Sequence, residues 1–140
     1  MTYVRYSQMI APRTSEVAET QTTDPGPGEV LVRIRACGAC ASELHPWADG
    51  QPSYPHRFGH EPVGVVAGVG EDVTRFKEGD RVTGLFKNAF ADYCLADADV
   101  LLPVPGNVAD EAALGEPIAC LVNAQRRTPV ELADQVAVIG

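Results

Sequence analysis

Proline and glycine interrupt this chain at short intervals, 11 and 13 of them in 140 residues. Proline has no backbone N–H to give, and glycine frees the backbone to turn. Breaks this frequent favour short strands and many turns over a helix bundle. Between the breaks the pattern is β. After the turn Asp24-Pro25-Gly26-Pro27-Gly28, residues 29–36 alternate. Val30, Val32, Ile34 and Ala36 share one face and Leu31, Arg33 and Arg35 the other, as in a half-buried strand. Further short strands are predicted over 3–10 and 14–20, across a Pro12-Arg13 turn, and over 62–69, 81–86, 89–95 and 101–104. Strands this short and this close predict a mainly β (α+β) chain built on a small, partly open β-barrel.

The helices are few. A short one is expected over 41–48, limited by Pro46, and another over 110–114. A longer one runs from Glu116 to about Arg127, with Pro117 at its first helical position. Pro129 breaks it, and residues 135–140 read as an apolar strand ending in glycine.

At 45% hydrophobic and 21% charged, the chain can bury a core. Its net charge of −8 argues against non-specific nucleic-acid binding, which depends on Lys and Arg. No apolar run reaches the roughly 18 residues of a membrane span, and Met1 to Arg5 lack the apolar stretch of a signal peptide. These features predict a cytoplasmic protein with reduced thiols and no membrane or nucleic-acid partner. In that setting Cys37, Cys40, Cys94 and Cys120 point to metal binding or catalysis before disulfides. All the histidines, His45, His56 and His60, fall within residues 45–60, beside Cys37-x-x-Cys40. Cys40 follows one strand and His60 precedes the next, so adjacent strand ends can bring a thiolate and an imidazole together. Zinc favours such ligands, and a catalytic zinc takes three from the protein.

The motifs narrow this further. In order they are Pro25-Gly26-Pro27-Gly28-Glu29-Val30, Cys37-Gly38-Ala39-Cys40-Ala41-Ser42-Glu43-Leu44-His45, Gly59-His60-Glu61-Pro62-Val63-Gly64 and Gly79-Asp80-Arg81-Val82. Together they resemble the zinc-dependent medium-chain alcohol and polyol dehydrogenases, over essentially the whole chain. The resemblance implies a GroES-like catalytic domain over 1–128, including a linking helix. Residues 129–140 would begin a Rossmann domain that is cut short before its NAD(P) site. It implies one catalytic zinc and, in the complete protein, NAD or NADP. The reaction is hydride transfer between an alcohol and an aldehyde or ketone, in a protein that is a homo-oligomer when complete. The chain alone is expected to be inactive, with residues 129–140 mobile or paired with another molecule and 25–105 ordered.

The resemblance also implies roles. Cys40 and His60 would be zinc ligands. Ser42 would take the proton of the alcohol and His45 would pass it to solvent. Glu43 stands where the family usually has Asp, as the carboxylate that orients the liganding histidine. The third ligand stays open. Glu116-Pro117-Ile118 matches the Glu-Pro pattern of sorbitol-dehydrogenase-like relatives, Cys120 lies one turn on, and Glu61 adjoins His60. Glu61 or Glu116 is favoured over Cys120. Glu116 serves equally as a helix N-terminal carboxylate and Cys120 as a small core residue. Trp47 either narrows the substrate pocket, as in microbial relatives, or packs under its loop. Cys37 and His56 are expected to ligate nothing. Cys94 alone cannot form the second, structural zinc site that many relatives have. A zinc-free quinone or enone reductase of the same fold and a non-catalytic GroES-like metal-binding or interaction module are the alternatives.

Overall fold

The fold is described from a computed structural model, over residues 2–139. It is mostly β. Strands β1 (Thr2–Ala11) and β2 (Thr14–Thr22) form an antiparallel hairpin. Strands β3 (Glu29–Gly38), β4 (Glu61–Val69), β5 (Arg81–Gly84), β6 (Tyr93–Asp97) and β7 (Leu101–Pro103) form a five-stranded antiparallel sheet in the order β6-β3-β4-β5-β7. Its edges, β6 and β7, do not pair with one another, so the sheet stays open where a partly open barrel was expected. The alternation read in residues 29–36 holds, with Val30 and Val32 fully buried and Arg33 and Arg35 exposed. Val66, Val82, Phe86, Cys94 and Leu101 complete the core around them.

Helix α1 (Ala41–Asp49) carries Pro46 inside it, where the sequence suggested that proline would limit it. The helix continues because Pro46 forfeits only its own N–H, and its carbonyl still accepts from Gly50 at 3.1 Å. Helix α2 (Gly115–Arg127) starts one residue before Glu116, which puts Pro117 third in the helix. The missing N–H still falls among first-turn donors that have no partner in any helix. The expected helix at 110–114 is a single 3-10 turn, Asp110–Ala112.

Two strand expectations fail. Residues 89–92 form no strand of the five-stranded sheet, because their backbone groups are shared among the hairpin, residues 58–59 and a single bond from Ile34 of β3. Ser7 N–H donates to the Phe90 carbonyl (2.8 Å) and Asp92 N–H to that of Arg5 (2.8 Å). The second failure is the apolar run Val136–Ile139, which forms no strand. Val138 and Ile139 are 92% and 96% exposed. Apolar residues become a central parallel strand only when neighbours supply hydrogen bonds and cover on both sides. The turn glycine expected at Gly140 and the leading Met1 lie outside the described residues.

The hairpin also braces the loop between α1 and β4. Met9 and His56 exchange backbone hydrogen bonds of 2.7 and 3.0 Å, four residues before His60.

Candidate metal centre

The pairing of β3 with β4 creates the site. Gly38, the last residue of β3, lies opposite Glu61, the first of β4. The chain leaves β3, and two residues later Cys40 sits at the N-cap of α1. His60 and Glu61 arrive at the same end from the other direction. Ligand atoms of Cys40, His60 and Glu61 consequently lie within 4.8 Å of one another. Gly38 makes this approach possible, since a Cβ there would overlap Oε2 of Glu61.

Glu43 organises this cluster from one turn into α1. It is buried, and both its oxygens have partners. Oε1 accepts from the Gly59 N–H at 2.7 Å and lies 3.0 Å from Nδ1 of His60. Oε2 accepts from the Cys40 N–H at 3.2 Å. A carboxylate on Nδ1 keeps the proton there and leaves Nε2 as the basic nitrogen. Gly59 is needed for this, because its φ of +96° and the backbone of Phe90 pressed against it leave no room for a side chain.

Glu61 differs from Glu43 in one respect. It is 8% exposed, yet among the described residues its carboxylate accepts no hydrogen bond and meets no cation. Its oxygens keep access to water, so the charge stands without a protein partner and is free to take one. A divalent cation shared with Cys40 and His60 would supply that partner, so the side chains present fit a zinc ion.

The other expected site residues sit around this core. Glu116 lies outside the group within 4.8 Å, and its Oε1 accepts from Cys120 Sγ at 3.3 Å. That hydrogen bond raises the Cys120 thiol above its ordinary range, and Cys120 is exposed, not packed in the core. Helix α2 is held against the site by Thr83. The Thr83 hydroxyl donates to the Pro62 carbonyl (2.8 Å) and accepts from the Gly115 N–H (2.9 Å). Burial raises Cys37 to about 11, and its Sγ donates to the neighbouring Gly38 carbonyl. Cys94 is buried in the core and is likewise raised to about 11 by burial. His45 has a 91% exposed side chain, 3.7 Å from Asp49.

Beside the cluster opens a cleft of about 610 Å³. Ser42, Glu43 and His60 line it together with Pro46, Gln51, His56, Arg57, Phe58, Leu85, Lys87 and Asn88. Trp47 is not among the lining residues, and its carbonyl accepts from the Arg13 N–H. Sequence reasoning missed Arg57 and Lys87. Neither sits in a motif, and only the pairing of 58–59 with 89–90 brings them to one wall.

With this geometry in view, comparison with known proteins is decisive. The sequence profile of the alcohol dehydrogenase GroES-like domain matches residues 26–107. The chain belongs to that family. An alcohol dehydrogenase of Geobacillus stearothermophilus is 36% identical over 138 residues, covering 75% of this chain and 40% of the relative. A sorbitol dehydrogenase of Halalkalibacterium halodurans is 30% identical, covering 89% and 45%. The L-galactonate-5-dehydrogenase of Escherichia coli K12 is 29% identical, covering 83% and 43%. The structure of 2R,3R-butanediol dehydrogenase from Bacillus subtilis superposes with a TM-score of 0.82 at 23% identity, over 94% of this chain and 49% of that one. The chain thus spans less than half the length of these relatives. The GroES-like domain fold and its place among the medium-chain alcohol and polyol dehydrogenases are established. No helix among the described residues is long and apolar enough to cross a membrane.

Proposed function

We propose that this chain is the zinc-binding catalytic part of an NAD(P)-dependent alcohol or polyol dehydrogenase, acting in the cytoplasm on a small alcohol, ketone or aldehyde. The observation that carries the reading is the convergence of Cys40, His60 and Glu61, with Glu43 seated on Nδ1 of His60. The same convergence disfavours a zinc-free reductase, which has no use for a thiol, an imidazole and a carboxylate gathered within 4.8 Å.

In this reading Cys40, His60 and Glu61 hold the metal, and Glu116 and Cys120 pair with each other beside it. Zinc supplies Lewis acidity, which lowers the pKa of a hydroxyl group to near neutrality. Glu43 fixes the tautomer and orientation of His60. Ser42, on the wall of the cleft, accepts the proton that the alcohol loses, and His45, exposed on α1, passes it to water. The hydride goes to a nicotinamide bound elsewhere in the longer protein. Residues 1–128 form the catalytic domain, and 129–140 lead into the nucleotide-binding one. In support, α2 leaves Ile118 and Leu121 54% and 71% exposed, an apolar face suited to cover by a second domain. Trp47 shapes substrate access from outside the cleft, and the complete protein is a homo-oligomer.

The test is metal analysis of the chain purified without chelator, followed by an alcohol-dependent NAD(P) reduction assay on a longer protein containing it. About one zinc per chain and activity lost on chelation are expected. No zinc after metal-supplemented refolding, or activity indifferent to chelators, overturns the reading.

A further inference from the structure

We propose that the cleft beside Cys40, His60 and Glu61 takes an alcohol that also carries a carboxylate, and that Arg57 and Lys87 set this preference. The inference rests on the dehydrogenase reading and names the substrate class for that site.

The Ala89 N–H donates to the Gly59 carbonyl (3.1 Å) and the Phe90 N–H to that of Phe58 (3.3 Å). Residues 57–60 and 87–90 therefore run side by side, and Arg57 and Lys87 both line the cleft that reaches His60. Arg57 is held in place before any ligand arrives. Its guanidinium carbon lies 4.1 Å from the centre of the Tyr6 ring, and Nη2 donates to the Asn88 carbonyl at 3.2 Å. Its Nε is buried with no acceptor. A guanidinium fixed this way loses little freedom on meeting a carboxylate, which can reach its Nη groups but not the sealed Nε.

The wall is also electrically unbalanced. Arg5, Arg35, Arg75 and Arg81 each lie beside an aspartate. Among the described residues, Arg57 and Lys87 meet no carboxylate. The acid lining the cleft is Glu43, and its oxygens are taken by His60, Gly59 and Cys40. The remaining lining includes the apolar side chains of Pro46, Phe58 and Leu85. The chain as a whole carries −8, so its overall field repels anions. In the zinc-free chain anion binding at this cleft must come from local groups, of which Arg57 and Lys87 are the charged ones, and added salt should weaken it. Attraction to a distant field would be ruled out by the sign of the charge alone.

The experiment measures binding by calorimetry on the full 140-residue chain, using sorbitol, gluconate and sorbitol 6-phosphate as probes. At low salt gluconate should bind about tenfold more tightly than sorbitol, as one charge-assisted contact allows. The ratio should shrink at about 0.5 M salt, where the screening length is a few Å. Lys87→Glu, an exposed change that spares the fold, should bring the ratio close to one, and Arg57→Gln should do the same. If Arg57→Gln fails to fold for want of its Tyr6 and Asn88 contacts, Lys87→Glu decides alone. Equal affinities for sorbitol and gluconate, or a preference unmoved by Lys87→Glu, overturn the proposal. Tighter binding of sorbitol 6-phosphate than of gluconate overturns the choice of carboxylate. Parallel titrations with and without zinc separate the two readings. One bound zinc with no anion preference overturns only this inference. A Lys87-dependent preference in a chain that binds no zinc overturns only the metal reading.

Discussion

Glu61→Gln should change stability in opposite directions with and without metal. In the zinc-free chain Glu61 is largely covered, and its carboxylate, which still reaches water, accepts no hydrogen bond and meets no cation among the described residues. An unsatisfied buried group costs about 1–3 kcal/mol, and the site borders an open cleft, so the low end applies. Removing the charge should therefore stabilise the metal-free chain by about 1 kcal/mol. With zinc the sign reverses. Loss of an anionic ligand weakens affinity by about a hundredfold, and ligand-linked stabilisation falls by about 2.7 kcal/mol in excess zinc. The net change is about 2 kcal/mol of destabilisation. The assay is urea unfolding of wild type and variant, in chelator and in excess zinc, with the slopes compared to confirm two-state behaviour. The midpoint should rise in chelator and fall in zinc, while Glu116→Gln moves neither appreciably. A variant that is less stable in chelator, or equally stabilised by zinc, would refute the assignment of Glu61 as a ligand.

Cys40→Ser and His60→Ala should each abolish most zinc binding by direct metal titration, whereas Cys37→Ser and Cys94→Ser retain it. Equal losses at Cys37 and Cys40 would favour a Cys-x-x-Cys site. Because burial raises Cys37 and Cys94 to about 11, unfolded thiols release their protons first as pH climbs from 9 towards 11. Folding stability should decline over that window, and the decline should shallow in Cys94→Ala measured against its own neutral-pH value. Hydrogen bonds from Arg81, then Arg35, lower the Asp110 carboxyl below its usual value. The stability it contributes is present above the unfolded value and lost as pH falls through the folded one. Asp110→Asn should therefore flatten the acid limb of the stability profile, and an unchanged limb would discount the pair.

Much of the site was legible because it depends on residues at strand ends. Alternation over residues 29–36 identified β3 and the β-branched run over 62–69 the next strand, so adjacent strand ends could bring Cys40 and His60 together, as the pairing of β3 with β4 does. Glu43 was harder. Its extra methylene put its role in doubt, and only the structure reveals that the longer side chain still reaches Nδ1 of His60 at 3.0 Å. The choice among Glu61, Glu116 and Cys120 could not be made from spacing, because it turns on how α2 is hung from Thr83 and on Gly38 giving way to Glu61. What was misread shares a cause. Residues 89–92 and 136–139 have strand-like composition, but a strand exists only through its neighbours. The first segment bonds to β1, and the second has none among the described residues.

The central claim is a single zinc bound by one thiolate, one imidazole and carboxylate oxygen. X-ray absorption at the zinc edge on the purified chain tests it most directly, since sulfur scatters at about 2.3 Å and nitrogen or oxygen at about 2.0–2.2 Å. The account predicts about one zinc per chain with one sulfur neighbour, a count that Cys37→Ser and Cys120→Ser leave unchanged. Two or more sulfur neighbours would bring Cys120 or Cys37 into the coordination sphere and contradict it.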